Sequence, residues 1–168
     1  MVNSNEKEDT DITNSEVIKH TLISLIIVAS SKTSNDYAWV VIKKLLRELK
    51  THYSFLNFIE IGEISVIKYS IEDIYISSDF DKVKPKQVGT AIQDLIDLFK
   101  KYLGTQAGYF FIEEFKNVLG EKYYYMIKKM GVDLRLIELQ KELYGLEIKG
   151  YKIKESSGSN IAFVEKIK

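Results

Sequence analysis

Apolar and polar positions recur with two different periods along this chain, and the period separates helix from strand. In "YAWVVIKKLLRELKTHY", Trp39, Ile42, Leu45, Leu46 and Leu49 share one side at helical spacing, while Lys43, Lys44, Arg47, Glu48 and Lys50 take the other. This predicts an amphipathic helix, with Ser34, Asn35 or Asp36 as its N-cap. A second helix is expected from Pro85, which suits a first helical turn, to about Leu103, with Val88, Ala91, Ile92, Leu95, Ile96 and Phe99 inward and Gly104 ending it. Between the two, Phe55 to Ser77 is rich in β-branched and aromatic residues around Gly62, which predicts two or three antiparallel strands.

Upstream, Thr13-Asn-Ser-Glu16 has capping-box spacing and predicts a helix to about Ser30. Its apolar run "LISLIIVA" fits a buried strand equally well, because eight residues without polar alternation carry no period. Residues 1–12, "MVNSNEKEDTDI", are polar and mostly acidic and read as a flexible tail ahead of a single domain over 13–168.

Downstream, "QAGYFFIEEFKNVL" and "GEKYYYMIKKM" are both helical in period but out of phase. On one continuous helix the apolar positions before Gly120 (Phe111, Ile112, Phe115, Val118, Leu119) would point roughly 70° away from Tyr123, Met126, Ile127 and Met130 at 100° per residue, which predicts a break at Gly120. Asp133 is expected to cap a last helix, "LRLIELQKELY", stopped by Gly145. "LEIKGYKIKE" and "NIAFVEKIK" around "SSGS" then read as a terminal hairpin. The expected fold is therefore α+β: six helices packed on one face of a small antiparallel sheet, with a C-terminal hairpin.

Composition narrows function mainly by exclusion. Lysine plus arginine (24) equals aspartate plus glutamate (24), so the surplus of positive charge that draws a chain onto nucleic acid is missing. There is no cysteine and the only histidines are His20 and His52, which removes disulfides, thiolate metal sites and cysteine catalysis. The longest apolar run, Leu22 to Ala29, is far below the roughly 20 residues needed to span a bilayer. An acidic lead stands where an export signal would be basic, so the expected location is cytoplasmic.

Candidate chemistry is sparse. His20 lies among apolar neighbours and reads as a core histidine, and His52 falls at a helix end, where a cation complements the dipole. Asp79 with Asp81, and Asp94 with Asp97, could hold a divalent cation or divide acid and base roles, but Asp in turns and on helix surfaces ordinarily serves structure. Ser156-Ser-Gly-Ser159 lacks the lysine and the following helix of a phosphate loop, and Gly104 and Gly108 match a membrane pairing motif by accident. No metal or cofactor is expected.

The tyrosine run Tyr123-Tyr124-Tyr125 carries more information. Tyr123 shares the inward face of its helix, whereas Tyr124 and Tyr125 fall on the flank and outside. Exposed aromatic rings are favoured where a hydroxyl stays wet and the ring meets a partner, so Tyr124 and Tyr125, with the outward Tyr109 and Phe110, are the expected contact residues of a homodimer. A rival reading gathers Trp39, Tyr123, Met126 and Met130 around an apolar cavity for a small ligand. A third makes Asp79 and Asp81 the centre of a metal-dependent enzyme.

Residues 87–140, from "QVGTAIQDLIDLFKKYLGTQAG" through "FFIEEFKNVLGEKYYYMIKKMGVDLRLIEL", resemble an archaeal signal-transduction output or sensor-associated domain. The resemblance rests on short helices punctuated at Gly104, Gly108, Gly120 and Gly131, and on the "GVDL" start of the last one. It implies regulation by interaction, with no catalytic residues to carry over; the expected partners are a second copy of the chain and another regulatory protein.

Overall fold

The computed structural model describes residues 12–62, 71–155 and 162–166. The expected tail apart from Ile12, residues 63–70 of the expected strand region and the "SSGS" turn lie outside these residues. Ile12, the last residue of the expected tail, packs against the core.

The first helix, α1 (Asn14–Lys32), opens on the predicted capping box. Thr13 Oγ1 accepts the Glu16 amide at 3.2 Å and Glu16 Oε2 accepts the Thr13 amide at 2.9 Å, so two otherwise orphaned donors are paired. Helix, and not strand, is the outcome for "LISLIIVA". The tertiary reason is that α1 packs against α2 (Asn35–Lys50), α3 (Pro85–Leu103) and α4 (Thr105–Lys129), so it needs apolar residues on nearly every side. Val17, Ile18, Leu22, Leu25 and Val28 are all buried, each burial stabilising the fold by about 1.5–3 kcal/mol. The buried hydroxyls of Thr21 and Ser24 donate to the carbonyls of Val17 and His20 one turn earlier, which removes their desolvation cost.

Ser34 caps α2 by accepting the Tyr37 amide at 3.3 Å, and Pro85 opens α3. The predicted break interrupts α4 at Gly120, whose φ of 80° and ψ of 157° are open to glycine and strained for any side chain. The two halves of α4 can therefore turn different faces to the core. Gly89 of α3 answers a different need: a Cβ there would lie 2.1 Å from the Met130 carbonyl oxygen, so only a hydrogen fits where α3 crosses the end of α4.

The expected platform sheet is corrected. The protein is mostly helical, and its helices pack on one another instead of on a common sheet. Strands β1 (Ile59–Ile61) and β2 (Ile74–Ile76) form an antiparallel pair of three residues each, in the register Ile59 with Ile76 and Ile61 with Ile74. Phe55 to Phe58, expected as strand, belong to a 3₁₀ turn over Ser54–Phe58, and Ile71–Asp73 form another. A separate pair, β3 (Tyr151–Glu155) with β4 (Ala162–Lys166), forms the C-terminal antiparallel hairpin.

The last helix also differs from expectation. Asp133 Oδ1 accepts the Arg135 amide at 3.0 Å at the start of α5 (Arg135–Ile148), but the helix continues through Gly145 and takes in "LEI". Its end comes at Gly150, whose φ of 87° provides the left-handed turn that Gly145 was expected to supply.

Candidate functional site

The tyrosine run divides among three environments. Tyr123 is half-buried and stacks on His20 of α1, ring centroids 3.8 Å apart and planes at 18°. His20 is thus an exposed residue with one ring face covered, not the core histidine expected from its apolar neighbours. Partial burial, then the positive charges of Lys122 and Lys19, push its pKa down, while Glu16 opposes them.

Tyr124 is half-buried against the core between two cations, Lys116 Nζ 4.9 Å and Lys128 Nζ 5.5 Å from its ring centre. Lys116 is also ion-paired with Glu138 of α5, so Tyr124 helps to join α4 to α5. Tyr125 alone of the three is well exposed, at 54%, with Lys129 Nζ 5.9 Å from its ring. The side chains of Tyr109 and Phe110 lie outside the described residues.

The rival ligand site is not assembled as expected. Trp39, Met126 and Met130 are core residues, and Tyr123 faces His20. An apolar cleft of about 220 Å³ lies elsewhere, where the ends of α1 and α3 meet the start of α2, lined by Ala29, Thr33, Tyr37, Val41, Phe99 and Tyr102. A second cleft, of about 270 Å³, runs between Lys43, Arg47 and Lys50 of α2 and strand β1, where Lys50 Nζ donates to the Ile59 carbonyl at 2.7 Å.

The candidate carboxylates are each engaged within the fold. Asp81 accepts the Ser15 amide at 2.7 Å and the Ser15 hydroxyl at 3.0 Å, placing a negative charge at the N-terminus of α1, where the helix dipole favours it. Asp79 turns to Lys82 at 2.7 Å, so the two do not converge on one point. Asp94 accepts the Tyr53 hydroxyl at 2.5 Å; that hydrogen bond, with partial burial, pushes the tyrosine up to about 12. Asp97 faces Gln93 at 3.4 Å, and Arg135 holds the Asp133 carboxyl down at about 2. Among the described residues, no three His, Cys, Asp or Glu side chains are grouped to hold a metal ion.

What the sequence reading missed is the outer face of α5. Its inner face is engaged: Ile137 is buried, Gln140 accepts from Lys100 and Lys141 pairs with Glu113. At 100° per residue, Leu136, Leu139, Leu143 and Leu146 fall in a stripe about 80° wide on the opposite side. Leu136 is 64% exposed and Leu139 50%. The signal was present as leucines stepping 3-4-3, in a helix read only for its caps. On α2, Tyr37 and Val40 are likewise 51% and 49% exposed, beside the apolar cleft.

Among the described residues no helix is long and apolar enough to cross a membrane. No family model, curated protein or solved structure matches this chain.

Proposed function

We propose that this chain is a non-catalytic regulatory module of the cytoplasm that works by protein contact in signal transduction, as a homodimer that also engages another regulatory protein. The observation that carries the reading is the outer stripe of α5, where Leu136 and Leu139 stand in water on a helix whose opposite face is already packed. Exposed apolar stripes of this kind mark contact surfaces, since leaving them in water forgoes about 25 cal/mol per Å². Tyr125 and the Tyr37–Val40 pair add ring and aliphatic surface of the same character.

Sedimentation equilibrium of the full chain tests it. Concentration-dependent dimer formation is expected. A chain that stays monomeric up to about 1 mM, where a pairing energy of only about 4 kcal/mol already populates dimer, overturns the homodimer.

A second reading, a small-ligand sensor, is supported by the 220 Å³ cleft beside Tyr37 and Tyr102 in place of the Trp39 and Met126 region. Its test is thermal: small aromatic compounds should raise Tm, and a panel with no effect removes the reading.

A further inference from the structure

The geometry points to α5 of one protomer docking along α2 of a second copy, its leucine stripe seated against Tyr37, Val40 and the adjoining apolar cleft. The inference rests on the homodimer reading and names its surface. Both helices step alike, Leu136, Leu139, Leu143 and Leu146 on α5 and Tyr37, Val40, Lys44 and Arg47 on α2, and all of these are exposed in the single chain except the half-buried Leu143 and Leu146. A 3-4-3 step keeps side chains in one line between two packed helices. Shape agrees as well, because the α5 stripe projects whereas the surface beside Tyr37 is a hollow of about 220 Å³ walled by Ala29, Val41 and Phe99.

Charge selects the partner and the direction. The first half of each exposed stripe is apolar. The second half of α2 carries Lys43, Lys44 and Arg47 with one carboxylate, Glu48, among them, and the second half of α5 carries the exposed carboxylates of Glu142 and Glu147. Laid parallel, leucine meets Tyr37 and Val40 while carboxylates meet cations, whose aliphatic stems cover Leu143 and Leu146. Laid antiparallel, the same carboxylates face Tyr37 and the carboxylate of Asp36. Two copies of α5 laid parallel bring their acidic halves together, and laid antiparallel they set those carboxylates against Leu136 and Leu139. Since the two surfaces differ, a two-fold axis makes the contact twice, α5 on α2 and α2 on α5.

The full chain, followed by sedimentation equilibrium, provides the test. Leu136→Glu with Leu139→Glu, and separately Tyr37→Glu with Val40→Glu, should each raise the dimer dissociation constant by roughly 100-fold or more. Mixing the two variants should restore a heterodimer, because one α5–α2 contact stays intact; a contact of α5 with α5 gives no such recovery. Should the glutamates unfold the chain, as circular dichroism would reveal, charge exchange decides instead. Lys44→Glu should weaken the dimer about tenfold and Glu142→Lys, added to it, should restore it. A dimer indifferent to all these changes overturns the docking surface while leaving the homodimer standing, whereas a monomeric unaltered chain overturns both.

Discussion

Helices α1 and α5 are both apolar on more than one face, yet they have opposite fates. The first is enclosed by α2, α3 and α4, and Ile18, Leu22, Leu25 and Ile26 are buried, with Ile27 alone of its leucines and isoleucines well exposed. The second packs on α4 along one side and touches β3, so Leu136 and Leu139 on its other side meet water. Burial is thus set by the number of neighbours a helix has, not by its own composition. A stripe without a neighbour is stored binding surface, whereas an enclosed one is stored stability.

The sharpest way to break this comparison is to truncate the same residue type in both helices. Leu25→Ala in α1 should cost about 3–4 kcal/mol by denaturant unfolding, since a fully buried leucine leaves a cavity. Leu139→Ala in α5 should fall within about 0.5 kcal/mol of the unaltered chain when both are measured as monomers. Equal losses would mean that α5 is enclosed in solution and that the contrast is false.

The crossing of α3 over the end of α4 represents the closely packed side of the comparison. Gly89→Ala should destabilise by about 2–3 kcal/mol, because its methyl would have to displace the Met130 backbone. An unchanged midpoint in urea would show that this crossing is looser than its geometry indicates.

A smaller effect belongs to the contact that ties the segment after α2 to α3. Tyr53→Phe should cost about 1 kcal/mol near neutral pH by removing the hydrogen bond to Asp94. The pH dependence has a definite sign. The folded-state tyrosine lies at about 12, above the ordinary value near 10, so its contribution is full below pH 10 and fades as pH rises toward 12. Unfolding curves of the two proteins should converge over that window; a difference that persists would place the stabilisation elsewhere.

Local rules were legible in the sequence because each is satisfied within a few residues. The Thr13–Glu16 capping box, the Ser34 cap, Pro85 at the head of α3 and the break at Gly120 all follow from backbone hydrogen bonds and dihedral limits that need no distant partner. The unpaired stripe of α5 was legible too, as leucines at 3-4-3 spacing, although their exposure was not. Tertiary structure alone decided that "LISLIIVA" is helix, that the described residues between Phe55 and Ser77 hold three-residue strands beside 3₁₀ turns, and that His20 is a surface ring under Tyr123. It also decided that Tyr124 lies between two lysines at the α4–α5 junction. Such outcomes depend on which distant surface arrives to cover a residue. That free energy belongs to a pair of elements and cannot be read from either one alone.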